Sequence, residues 1–343
     1  YMDLQTTWFF LWGLLWAVFF ITDGFDFGVG TLLPFLGKTN EDRRMMLNSV
    51  GPLWDGNEVW LITAGGVTFA AFPTVYAVMF SSLYSALMLI LFALILRGVS
   101  FEFRGKVESP VWRKIWDGCN FLGSVIPAIL FGVAFANIFK GIPIDGNGIY
   151  QGNLFTLLNP FGLLGGLLFL LMFLQHGALW LCIRTGNGLQ EQARRTAFRV
   201  WPVLAVTAVA FLVTAWYSTR LYDNYLNHPS LFIVILLTVA ALFSVPVLLK
   251  KSAWFFSWLA SAGFIAGATF FGIIGLYPNL FPSSIDAAHS LTAFNASSSP
   301  LTLTIMLVVV AIFVPVVIGY QIWAYRMFSD RMTIDDLDYE EAY

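Results

Sequence analysis

Charge is what this sequence of 343 residues has least of: Asp, Glu, Lys and Arg make up 11% of it, against 58% hydrophobic residues, and its mean hydropathy is +0.76. So few charges cannot solvate the surface of a globular protein this size, which excludes a water-soluble domain and makes lipid the solvent. The formal net charge is −2, so there is no basic field to bind a nucleic acid. Cysteine is nearly absent too. Cys119 and Cys182, both at or inside apolar runs, make no disulfide framework, no CxxC and no haem-attachment CxxCH. With 3 histidines and no readable HExxH, Walker loop or Ser/His/Asp order, no catalytic constellation and no metal site is complete. No Lys or Arg precedes the first apolar run, which reads as a retained span and not as a signal peptide.

What the sequence has is a series of apolar stretches, each long enough to cross ~30 Å of hydrocarbon. They lie at about 8–33, 53–72, 74–97, 117–139, 161–183, 200–219, 230–249, 254–277 and 301–325, separated by Pro73, by Pro143 with Gly146 and Gly148, by Pro229 and by the Ser/Pro stretch up to Pro300. The expected fold is an all-α integral membrane protein of nine transmembrane helices in a single domain, residues 1–343. If every span is real, Lys and Arg should alternate between loops. They do: 16 of the 18 fall on one side and only Lys140 and Arg220 on the other, which places the N-terminus outside and the C-terminus in the cytoplasm. Trp8, Trp12, Trp54, Trp112, Trp116, Trp254 and Trp323 sit near proposed span ends, where amphipathic rings prefer the headgroup level. The tail from Ser329 to Tyr343 is acidic and expected to be loosely ordered at its end.

Carboxylates occur where lipid disfavours them. Counting 1.5 Å per residue from Trp8, Asp23 lies roughly 22 Å and Asp26 roughly 27 Å along the first span, in its cytoplasmic third. A carboxylate at a helix centre costs ~2.5–3.5 kcal/mol on insertion, so this i, i+3 pair must face protein or water. Gly24 and Gly28 form a small-xxx-small pair on the same helix, which admits a close neighbour. Asp55 and Glu58 open the second span and Glu102 follows the third, so five acids gather at the cytoplasmic end of the first three spans. Helix-dipole and capping preferences alone can account for Asp55. Arg43, Arg97 or Arg104 can neutralise the acids as structural ion pairs, and the functional alternative is a proton entry path through partly buried carboxylates. His176, the only histidine inside a span, stands four residues after Met172. That pair could in principle ligate a haem, although a packed, hydrogen-bonded histidine is the simpler reading.

Two segments carry a family resemblance: TDGFDFGVG from Thr22 to Gly30 and PLWDGNEVWLITAGG from Pro52 to Gly66. With EDRRMMLN at 41–48, FAAFPTVYAVMFSSLY at 69–84 and FEFRGK at 101–106, the sequence resembles the second subunit of cytochrome bd-type quinol oxidases. The resemblance implies two four-helix bundles plus one peripheral helix, in a bacterial cytoplasmic (inner) membrane. It implies a haem-bearing subunit I as partner, and in some complexes a small single-span accessory subunit. Haems b and d would lie in that partner and none in this chain, and a structural quinone could be held here. Quinol and oxygen would be the substrates of the complex, which turns them into quinone and water while generating a proton gradient. This chain would stabilise subunit I and conduct protons through Asp23, Asp55 and Glu102, to which proximity adds Asp26 and Glu58. Some relatives carry Asp at the position of Glu102. A proton-coupled membrane transporter is the alternative of another class. It would place its polar groups near the midplane of broken helices, often with inverted repeats, whereas these acids crowd one end and no repeat is seen.

Overall fold

Helix boundaries follow local chemistry. In the computed structural model, which describes residues 3–333 and Leu337, the helices are α1 (Leu4–Leu36), α2 (Asn40–Val50), α3 (Trp54–Ala71), α4 (Pro73–Ser82), α5 (Tyr84–Phe103), α6 (Pro110–Lys140), α7 (Leu154–Leu157), α8 (Pro160–Arg184), α9 (Asn187–Ser218), α10 (Tyr222–Asn227), α11 (Phe232–Lys250), α12 (Trp254–Leu276) and α13 (Pro300–Met327). Three long helices start in the same way, with Ser109–Pro110, Asn159–Pro160 and Ser299–Pro300. In each, the Ser or Asn side chain accepts a backbone N–H of the first turn, and the proline fills a position that has no N–H to satisfy. The α2 helix opens on a capping box between Thr39 and Asp42.

Among the described residues, eight helices are long and apolar enough to cross a membrane: α1, α5, α6, α8, α9, α11, α12 and α13. The expected span at 53–72 is the helix α3, whose first turn carries Asp55, Asn57 and Glu58 and which is less apolar than these eight. The expected span at 74–97 is divided. It breaks at Leu83 into α4 and α5, behind the pair Ser81–Ser82, where the Ser81 hydroxyl bonds back to the Ala77 carbonyl. Several helices also run past the expected apolar limits: α6 begins at Pro110 and α9 at Asn187. The acidic tail expected beyond Ser329 lies, after residue 333 and apart from Leu337, outside the described residues.

The centre of the molecule is α1, which packs on α3, α6, α8 and α12. Its Gly28 lies against the backbone of α8: a Cβ there would meet the Phe173 carbonyl oxygen at 2.0 Å and Gly177 Cα at 2.9 Å, so only glycine permits the approach. A layer of aromatic rings fills the space between α1, α6 and α8, with Trp16 against Phe135 and Phe20 against Phe169, edge to face. α13 is peripheral, and Leu303 is its one buried side chain. Hydrogen bonds define two ends. At one, Arg43 and Arg104 meet Asp117, and Met332 N–H bonds to the Arg184 carbonyl. At the other, residues 142 and 282–284 bond to each other, and Lys140 and Arg220 line one polar pocket. The first is the basic end used below.

Candidate functional site

Toward the basic end three helices bring ionisable side chains together. Asp23 on α1 is 0% exposed and Arg97 on α5 is 1% exposed. The Arg97 Nη2 group donates to Asp23 Oδ2 at 3.0 Å and to Glu58 Oε2 on α3 at 3.3 Å, and it lies 2.8 Å from Asp23 Oδ1 as an ion pair. The guanidinium also lies over the Phe27 ring, 4.4 Å from its centroid. One turn along α1, buried Asp26 accepts a hydrogen bond from Asn57 Nδ2 at 2.8 Å, and Asn57 Oδ1 accepts one from the Tyr325 hydroxyl of α13 at 2.6 Å. The Glu58 side chain, 20% exposed, is the member that opens toward the outside.

The group has unspent polar capacity. Arg97 Nε and Nη1 and Asp26 Oδ1 are buried without a hydrogen-bond partner, as is the whole side-chain amide of Gln175 on α8. Buried polar atoms of this kind are normally satisfied by ordered water. Three carboxyl groups lie around one guanidinium here, so the group carries more acid than its one base can balance.

The expected acids therefore separate into two sets. Asp23, Asp26 and Glu58 come together; Asp55 and Glu102 are exposed and lie outside the buried group. Of the three arginines weighed as counter-ions, Arg97 is the one that pairs with Asp23 and Glu58. Arg43 Nη1 and Arg104 Nε both pair with Asp117, at 2.8 Å and 2.6 Å, a clamp at the basic end that also takes Arg104 Nη2 to Asn40.

The whole chain can be placed among known proteins. Residues 4–328 match the family model described as cytochrome bd terminal oxidase subunit II. The chain belongs to this family. It is 39% identical to the cytochrome bd ubiquinol oxidase subunit 2 of Bacillus subtilis, covering 96% of this chain and 97% of that protein. It is 37% identical to the cytochrome bd-I ubiquinol oxidase subunit 2 of Escherichia coli K12, over 98% and 97% of the two chains. A chain of the bd oxidase structure from Geobacillus thermodenitrificans shares the fold at TM-score 0.77 and 17% identity, with 95% of this chain and 99% of that one covered. As a member of the oxidase subunit II family, the chain is a multi-pass protein of the bacterial inner membrane and a component of a respiratory oxidase complex.

In this oxidase subunit His176 is fully engaged: Nδ1 lies 3.0 Å from the Ser261 hydroxyl and Nε2 3.0 Å from the Ile21 carbonyl, with the ring stacked on Trp258. Neither nitrogen is left for iron. Met172 turns instead into an apolar cavity of about 90 Å³, beside Phe20, Phe169 and Leu212. Among the described residues, no three His, Cys, Asp or Glu side chains are grouped to hold a metal ion. The sequence reading missed Asn57, Tyr325, Gln175 and Asp117. Two of these carried a signal, since Gln175 and Asp117 are polar positions at or beside an apolar run.

Proposed function

We propose that this chain is subunit II of a cytochrome bd-type quinol:oxygen oxidoreductase, and that its buried carboxylates take up protons from the cytoplasm for oxygen reduction in a haem-bearing subunit I. The basic end is the cytoplasmic one by the positive-inside bias. Helices α1, α3, α5 and α6 are read as one four-helix bundle, α8, α9, α11 and α12 as the other, and α13 as the peripheral helix. The haems of subunit I supply electron transfer to oxygen.

The observation that carries the reading is the Asp23–Arg97–Glu58 group with Asp26 beside it, buried at membrane depth near the basic end. Every electron delivered to oxygen on its way to water calls for one proton, and buried carboxylates near the basic end suit a supply of protons. One guanidinium balances one carboxylate. The remaining carboxyl groups cannot all stay ionised in a water-poor interior, so the group holds a proton that it can pass on. Glu58, partly open, receives protons from the exposed rim that carries Asp55 and Glu102; Arg97 Nη2 bonds both Asp23 and Glu58 and so links them; and water on the unspent atoms of Arg97 and Asp26 completes the path. The stabilising role toward subunit I rests on family membership and on the long apolar surfaces left exposed on α9, α11 and α13.

The test is steady-state turnover of the purified oxidase, counted per haem-loaded complex. Asp26→Asn keeps the shape and the hydrogen-bonding capacity of the side chain but cannot carry a proton; the expected loss is at least about 10-fold, the scale of a lost proton-transfer group. Asp55→Asn and Glu102→Gln, at the exposed rim, slow turnover by less. Full turnover in both Asp26→Asn and Asp23→Asn, with normal haem content, would remove the path from this site.

A further inference from the structure

The helix α13 is nearly all outside the core, yet it carries polar bonds that a lipid-facing helix does not need. At its far end Leu303 accepts a bond from Trp8 Nε1 at 3.0 Å. At its basic end Gln321 accepts from Trp60 Nε1 and donates to the Gly56 carbonyl, both at 3.0 Å, and the Tyr325 hydroxyl donates to Asn57 Oδ1. The last bond is the one that reaches the carboxylates. We infer that Tyr325 is a positioning residue for Asp26, acting through the amide of Asn57; the inference rests on the proton-uptake reading above.

A side-chain amide has two faces of opposite character. Beside a carboxylate, Asn57 is useful with Nδ2 inward and harmful with Oδ1 inward, where two sets of lone pairs would face each other. The backbone of α3 fixes the place of Asn57 but not which way its amide turns. The Tyr325 hydroxyl does: by donating to Oδ1 at 2.6 Å it holds that oxygen away from α1 and so aims Nδ2 at Asp26 Oδ2, 2.8 Å away. The hydroxyl is itself held, because the Tyr325 ring packs edge-on against Phe25 of α1 and Trp180 of α8. A donor whose ring is held by two neighbours in this manner is what keeps a polar site in one geometry. The charged groups that act on Asp26 are Asp23 on its own helix and Arg97 on α5, while Glu58 on α3 bonds to Arg97 and His176 on α8 is bonded at both nitrogens. None of these touches the Asn57 oxygen, so the orientation of the amide depends on Tyr325.

The experiment uses the purified oxidase complex with Tyr325→Phe, Asp26→Asn, their double variant, and Gln321→Leu, reading kcat and the KM for quinol per haem-loaded complex. Tyr325→Phe removes one interhelical hydrogen bond and is expected to lower kcat about 3- to 10-fold with KM unchanged. In the Asp26→Asn background the same change should cost nothing further, because the group it positions is already gone. Gln321→Leu cuts the neighbouring ties of α13 without touching Asn57 and should turn over as wild type. Asn57→Ala, which removes the linking amide itself, should reproduce the defect and serves if Tyr325→Phe fails to assemble. A wild-type kcat in Tyr325→Phe, an undiminished further loss in the Asp26→Asn background, or an equal loss in Gln321→Leu would each overturn the inference. If Asp26→Asn itself turns over normally, the proton-uptake reading fails at Asp26 and the inference falls with it. If Asp26→Asn is slow while Tyr325→Phe is normal, only the inference fails.

Discussion

Removing the Arg97 guanidinium should damage this protein far more than removing the ion pair as a whole. Arg97→Gln leaves Asp23, which is 0% exposed, without its counter-ion, and deprives Glu58 of the same partner. Breaking a buried pair by deleting one member costs about 3–5 kcal/mol, because the remaining charge is stranded in low dielectric. The guanidinium also gives up its position over Phe27, about 2 kcal/mol for a desolvated cation on an aromatic face. The second substitution Asp23→Asn removes the stranded charge, so the double variant should recover more than half of the loss even though it restores no ionic bond. The assay is unfolding of the complex by SDS in mild detergent, followed by tryptophan fluorescence, for wild type, both single variants and the double. An Arg97→Gln cost below about 1 kcal/mol, or a double variant no more stable than Arg97→Gln alone, would refute the reasoning, since either result means that Asp23 is neutral or wet without Arg97.

Other consequences can be checked separately. Gly28→Ala puts a methyl group 2.0 Å from the Phe173 carbonyl oxygen and should destabilise the α1–α8 contact by about 1–3 kcal/mol, seen as a lower yield of assembled complex, whereas Gly319→Ala, with nothing within 4 Å, should be silent. Asp117→Asn weakens the bonds to Arg43 and Arg104 and should expose the 37–44 segment to faster proteolysis with little change in turnover. The Asp145 carboxylate, outside the membrane-spanning segments, is held below its ordinary range first by the Ile149 N–H, then by the Asn147 N–H and the Gln151 amide. A depressed folded pKa means that its contribution is present above the unfolded value and is lost as pH falls through the lowered one. Exchange of the Ile149 and Asn147 amides, corrected for the intrinsic pH dependence, should therefore accelerate only in strong acid.

Much of the architecture could be read from apolar run length and the sidedness of Lys and Arg, because lipid enforces both on every span separately. Where the reading slipped, the reason is local. A span at 74–97 is apolar throughout, and a Ser–Ser pair breaking it at Leu83 leaves no trace in hydropathy. At the site, Asp23 and Asp26 were legible because a carboxylate inside an apolar run has no lipid-facing solution. Motif proximity did not show that Glu58 joins the buried group while Asp55 stays exposed. The buried residues of α3 are Asn57, Trp60, Ala64, Val67, Thr68 and Ala71, a helical stripe that Glu58 flanks and Asp55 opposes. That phase was present in the sequence as a row of small and aromatic positions. Tyr325 was beyond reach: it meets Asn57 across 268 residues, and nothing local to either announces the other.

The order in which the ion group is made has a consequence for biogenesis. Asp23 and Asp26 emerge from the ribosome with α1, while Arg97 follows roughly 70 residues later, which at about 5–20 residues per second is roughly 4–14 s of synthesis. Throughout that interval Asp23 lacks the guanidinium that pairs with it in the folded protein. The insertion machinery must therefore shelter α1 or accept it uncharged, and the carboxylates acquire their counter-ion only when the third long helix, α5, docks through α6. A nascent chain halted before residue 97 should be held by the translocon, and one halted after α6 should be released into lipid.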